Sequence, residues 1–409
     1  MSQDFPRRVA IVHDWLDKPG GAERVLHELV VCFPDADLFA VVDMLSADDR
    51  SIIRNKVVTT TFIQKLPGAR KHFRRYLPLM PLAVEQMDMS SYDLVISSSW
   101  AVAKGVITGP DQIHVAYIHT PLRYAWHQQH DYLRLGHLDR GLKGAVARLA
   151  LHWLRLWDIR TVNSVDVWLA NSSNVARRIR KTYGKQSEVL HPPVRIEDFT
   201  FTSEKEGFYF TCSRLVQYKR IDLLVDAFLE RPGTELVVAG DGPELPSLRE
   251  RARHASNIRF LGRRTDGEVR ELLRKARAFV FAANEDFGIA PLEAQACGTP
   301  VIAFGRGGAL ETVRGLGAER PTGCFFDQQT PTSILEAIER FENLAVPIDP
   351  EDCRANAIQF RSERFREQIH KILGRHWIGF VATAPSEAAT DDISHPKCAL
   401  AAAESPSLA

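Results

Sequence analysis

The chain has 409 residues, of which 45% are hydrophobic and 25% charged, and its formal balance is 52 − 51 = +1. At roughly 150 residues per domain this is an ordinary globular composition for two or three domains, which excludes long disorder, collagen-like repetition and coiled coil over most of the length. A near-zero net charge supplies no whole-molecule attraction to nucleic acid, so any electrostatic preference must be local. The six cysteines are scattered without a C-x-x-C pair, a pattern that disfavours a disulfide scaffold or zinc module and fits a reducing cytosol. The opening residues MSQDFPRRVAIVHDW hold no apolar run of signal-peptide length. No stretch approaches the ~18 consecutive apolar residues of a spanning helix, so a cytoplasmic protein is expected.

Along the chain, residues 8–12 form a short apolar run suited to a buried parallel strand. A loop follows, and Gly20-Gly21 opens an amphipathic helix. Further strands are expected at 38–42, 94–98, 114–118 and 167–170, with helical patterns between several of them, the longest from about 140 to 163. Pro192-Pro193 breaks the pattern and marks a connection. The alternation then restarts, with strands at 208–212, 235–239, 258–261, 278–282 and 300–304 and helices between them. Strands alternating with helices predict α/β units with doubly wound parallel sheets. The expected domains are 1–195 and 196–355, followed by a helix over 356–377 and a disordered tail over 378–409, rich in Ala, Ser and Pro.

Two such units imply a cleft, and ligands of parallel sheets bind beyond the carboxyl ends of strands. The strand at 208–212 is followed by Arg214 and Lys219, a fork and a point charge beside a helix start. That arrangement suits a diphosphate, although alone it fits a solvated surface pair equally well. Gly240 and Gly242 lie after the next strand and permit either close ligand approach or a tight turn. After 278–282 come Glu285, Phe287, Gly288, Ile289 and Glu293. Here two carboxylates flank a helix start, able to take sugar or ribose hydroxyls while its free amides take phosphate or hydroxyl oxygens. Two further spacings have ordinary explanations. Asp35-Ala36-Asp37 has a metal-motif spacing but precedes a strand, where turn chemistry explains it. Gly305-Arg306-Gly307-Gly308 lacks the third glycine of a dinucleotide fingerprint.

The E-x7-E spacing in EDFGIAPLEAQACGTPVIA resembles the signature of family-four retaining glycosyltransferases of the GT-B fold. SRLVQYKRIDLLVDAF, AGDGPE, HPPV and the N-terminal Gly-Gly loop are similar to the same family, and the resemblance spans about 8–377. Its finer likeness is to bacterial GDP-mannose-dependent mannosyltransferases of surface-polysaccharide synthesis. The resemblance implies two Rossmann-like domains facing across a cleft, the first binding the acceptor and the second the nucleotide sugar. Glu285 would bind the donor sugar beside the Phe287, Gly288 and Ile289 amides, and Glu293 the ribose. Arg214 and Lys219 would neutralise the diphosphate with Gly20 and Gly21, with Gly240 in the donor site and Arg263 near the base. His119, in YIHTP, would be the active-site histidine, although by itself a packed loop histidine explains it. The Gly305–Gly308 loop and Glu311 would lie near the nucleotide.

The implied reaction passes a hexose to an acceptor hydroxyl with retention, without metal or other cofactor, the acceptor being a lipid-linked saccharide or oligosaccharide. Rival readings are a UDP-sugar donor, a sugar-nucleotide epimerase, a non-catalytic sugar-nucleotide binder and a dehydrogenase-like protein. Residues 51–84 hold no Asp or Glu, and interleave seven Lys and Arg with Leu66, Phe73, Tyr76, Leu77, Leu79, Met80 and Leu82. This segment is expected to meet an anionic membrane, placing the protein peripherally on the inner face of the plasma membrane. A helix packed on the sheet with solvated arginines outside is the other reading.

Overall fold

A computed structural model describes residues 6–136 and 138–383. Two all-parallel sheets organise it. The first has the strands β1 (Val9–His13), β2 (Asp37–Ala40), β3 (Val58–Thr60), β4 (Leu94–Ser99), β5 (Ile113–Ile118), β6 (Val167–Ala170) and β7 (Glu188–Val189), in the order 3-2-1-4-5-6-7. The second has β8 (Tyr209–Cys212), β9 (Leu236–Ala239), β10 (Ile258–Gly262), β11 (Ala278–Phe281), β12 (Val301–Phe304) and β13 (Gly323–Phe326), in the order 10-9-8-11-12-13. Helices cover the sheets, which accounts for the continuous apolar runs of the central strands. β4 and β5 are buried along their whole length even though they read LVISSS and IHVAYI. Three serines and a histidine therefore sit inside, and each needs a partner.

In each sheet the strand order reverses once, between β1 and β4 and between β8 and β11. These are the points where a doubly wound sheet leaves an open crevice at its carboxyl edge.

The linker does not cross between the domains alone. Val194 forms a parallel bridge with Arg361, and its N–H donates to the Phe360 carbonyl at 2.8 Å. The C-terminal segment thus returns beside the linker. That crossing divides the expected single helix into Pro350–Ile358 and Ser362–Thr383. The second helix places Phe365, Ile369, Ile372 and Leu373 in the same core as Val25, Leu26 and Leu29 of the helix Gly21–Cys32. Arg366 also pairs with Glu28 at 2.7 Å. Because Trp377 and Phe380 still pack against that core, the helix runs to Thr383 and corrects the tail expected from 378 onward. The rest of that tail lies outside the described residues.

Candidate active site

The two switch points enclose one cavity of about 970 Å³. Gly20, Gly21, Arg24, Trp100 and His119 line it from the first domain, and Lys219, Glu285 to Ile289 and Glu293 from the second.

In the second domain, the turn Gln217–Lys219 delivers Lys219 from the end of β8 and closes on Arg220 at φ 55°. Lys219 Nζ pairs with Glu285, which follows β11. Gly288 has φ 85°, a conformation that favours glycine, and caps the helix Ile289–Ala296. No side chain caps this helix, so its first amides are free for a ligand. Glu293, one turn in, pairs across the cleft with Arg24 at 2.5 Å. Gly21 faces the same helix so closely that a methyl there would stand 3.1 Å from Ile289 Cδ1. Asp286 is buried and pairs with both Arg123 and Arg178 of the first domain. All three carboxylates lining the cavity therefore hold cations.

In the first domain, His119 leaves the end of β5. Its Nε2 lies 2.8 Å from Ser98 Oγ on β4, and Ser98 Oγ lies 3.1 Å from His13 Nδ1 at the end of β1. Trp100 meets both imidazoles edge-on, with centroids 4.9 Å from His13 and 5.6 Å from His119. Burial, reinforced by His13 and Arg123, pushes His119 down to about 3, so it is neutral at neutral pH. Asp14 is buried beside His13 and accepts four backbone N–H groups, from Trp100, Ala101, Val102 and Ala103. It fixes the loop that carries Trp100.

Other expected residues fall elsewhere. Arg214 and Arg263 are exposed and do not line the cavity. Gly240 serves chain crossing: a Cβ there would stand 1.9 Å from the Ser213 carbonyl oxygen. The Gly305–Gly308 loop supports the site from behind, since the Gly308 N–H donates to the Glu285 carbonyl at 2.9 Å. Glu311 turns away from the cavity to accept the Ser173 amide at 2.8 Å and to meet His191 Nε2 at 3.1 Å. Asp37 accepts the Tyr92 hydroxyl at 2.7 Å.

Arg74, Thr120, Arg123 and Asn171 also line the remaining cavity wall, one stretch of which is apolar, with Leu77, Pro78, Met80, Leu133, Leu151 and Leu154. The last two lie on the helix Gly141–Arg160, whose outer side exposes Leu142 (82%), Val146, Leu149, Trp153 (43%) and Leu156. In the basic 51–84 segment Phe73 and Met80 are buried, while Leu79 and Leu82 are exposed.

Two Rossmann-like domains, with paired carboxylates and a bare helix N-terminus facing a glycine loop and a histidine across a cleft, define a protein of the GT-B fold. Residues 19–198 match the model for Glycosyltransferase Family 4 and residues 195–360 that for Glycosyl transferases group 1. The chain belongs to this glycosyltransferase family. It is 35% identical over 178 residues to a GDP-mannose-dependent monoacylated alpha-(1-6)-phosphatidylinositol monomannoside mannosyltransferase of Corynebacterium glutamicum, a match covering 36% of this chain and 47% of that one. It is 26% identical over 290 residues to a D-inositol 3-phosphate glycosyltransferase of Corynebacterium urealyticum, covering 63% and 65%. The chain thus spans less than two thirds of these curated relatives. Among solved structures, Anabaena HepE in complex with UDP superposes with TM-score 0.65 at 18% identity, over 90% of this chain and 100% of that one. Sucrose-phosphate synthase from Thermosynechococcus elongatus gives 0.67 at 15%, over 91% and 99%.

Proposed function

We propose that the protein transfers mannose from GDP-mannose, with retention and without a metal, to a hydroxyl of a lipid-linked saccharide at a membrane surface. The observation that carries this reading is the meeting of Lys219, Glu285, Glu293 and the bare N-terminus of the helix Ile289–Ala296 with Gly20, Gly21 and His119 in one cavity. Departure of the nucleoside diphosphate concentrates negative charge on its phosphates. Lys219 and the helix amides supply fixed positive potential there, so a divalent cation is not required. Each cavity carboxylate is tied to a cation. Attack comes from the front face, the leaving phosphate accepting the acceptor's proton while Glu285 serves the sugar's hydroxyls. When the donor enters, Glu285 and Glu293 exchange their cations for sugar and ribose hydroxyls.

The apolar wall suits an acceptor that carries hydrocarbon near its reacting hydroxyl. The exposed apolar side of Gly141–Arg160, with the exposed Lys143 and Arg148 on the same helix and the basic 51–84 segment, suits an anionic lipid surface. No helix among the described residues is long and apolar enough to cross a membrane; the docking proposed here is peripheral, on the cytosolic leaflet.

A thermal-shift screen of GDP-, UDP- and ADP-sugars, with and without EDTA, tests the donor. At 100 times Kd a bound donor adds about 2.7 kcal/mol of stability. GDP-mannose is expected to give the largest shift, equal in EDTA. A UDP-sugar giving the largest shift replaces the donor, and an isomerised sugar formed from donor alone makes the protein an epimerase. No shift with any of them contradicts the reading.

A further inference from the structure

The Ser98 hydroxyl stands between two imidazoles and has one hydrogen to give. His13 Nδ1 lies 3.1 Å from it on one side and His119 Nε2 2.8 Å on the other. At least one ring must therefore donate to Ser98, and the other accepts from it only where its facing nitrogen is bare. The far end of the chain decides which. His13 is completely buried, and its Nε2 has no hydrogen-bond partner but faces Glu23 Oε1 at 3.7 Å. Glu23 is itself buried, in the first turn of the helix Gly21–Cys32. A carboxylate stabilises an N–H directed toward it and repels a bare nitrogen lone pair, all the more at low dielectric. His13 in its neutral form then carries its hydrogen on Nε2, its bare Nδ1 accepts from Ser98 O–H, and the Ser98 oxygen accepts Nε2–H from His119. His119 is left with a bare Nδ1 for a ligand.

We propose that Glu23, His13 and Ser98 are positioning residues that fix the tautomer of His119, so that it meets the donor sugar as a hydrogen-bond acceptor. The three groups lie at the β1/β4 switch point, where β1 and β4 pair His13 with Ser98 in register. Gly20 ties the relay to the donor loop: a methyl there would stand 2.9 Å from Glu23 Oε2 and push the carboxylate aside. The inference rests on His119 facing the sugar, as in the proposed function. Its spectroscopic test needs no donor, so the two readings fail separately.

The test is the imidazole 15N spectrum of His119 in the free full-length protein, assigned by loss of its signals in H119Q. Wild type, S98A and E23Q are compared, each also assayed for donor KM and kcat. The expected result is an Nε2–H tautomer in wild type that shifts toward Nδ1–H in both variants. A fall of about tenfold in kcat should accompany it, with little change in KM. E23Q keeps the shape of the side chain and carries the test if S98A fails to fold. An Nδ1–H tautomer in wild type, the same tautomer in all three proteins, or unchanged kcat in both variants overturns the proposal.

Discussion

His114 near the start of β5 and His119 just beyond its end take different roles, and what each ring does is set by its hydrogen bonds. His114 Nδ1 donates to the Ser164 carbonyl at 2.8 Å, which leaves Nε2 to accept from Ser97 Oγ at 2.8 Å. Burial holds the ring down to about 4. In the unfolded chain the same ring takes up a proton near pH 6.5. Between about pH 6.5 and 4 the unfolded state therefore binds more protons than the folded state, and stability falls as pH falls. The melting temperature of wild type is expected to drop between pH 7.5 and 5, and that of H114N to drop less steeply. Parallel curves would show that this ring is not a source of acid sensitivity. Glu285, Glu293, Lys219 and His119, singled out at strand ends by the family resemblance, all line the cavity. Arg24, Arg123 and Asp286 were not singled out, because their pairings join residues 269 and 163 positions apart. Nothing local distinguishes such an arginine from a solvated one. Arg214 and Arg263 show the reverse, since a plausible spacing does not fix which way a loop side chain turns.

The helix Gly141–Arg160 shows what a pattern leaves open at the scale of an element. Its length was legible, but both sides are apolar: Leu154 and Trp157 are buried, while Leu142, Val146, Leu149, Trp153 and Leu156 face outward. Periodicity alone does not say which stripe meets the core. In 51–84 the alternation of cations and apolar residues fitted both a membrane-facing segment and one packed on the sheet, and short turns of helix carry Phe73 and Met80 inward while Leu79 and Leu82 stay exposed. Short edge strands were the other omission. β3 reads VTT and β7 reads EV, too brief and polar to stand out from loops. If the exposed stripe docks on lipid, L149S/W153S should lose most co-sedimentation with anionic vesicles at low salt while keeping the wild-type melting temperature. Equal sedimentation of the two proteins removes this helix as the contact.

Across the whole molecule, two sheets with one reversal each bring their open edges together, and the order of strands explains why the site lies where it does. The alternation of strands and helices made that architecture legible. The return of the C-terminal segment beside the linker was not, because a bridge between Val194 and Arg361 has no local signature. Cation–carboxylate pairs span the cleft from Arg24, Arg123 and Arg178, and a donor that takes over Glu293 would exchange the Arg24 pair for its own contacts. The most direct measurement is transfer from radiolabelled GDP-mannose to glycolipid in anionic vesicles, in EDTA, with the anomeric configuration of the product determined. An α-linked product is predicted, formed at least about tenfold more slowly by K219A and by E285Q. A product of inverted configuration, a strict metal requirement, or wild-type turnover in both variants would contradict the account.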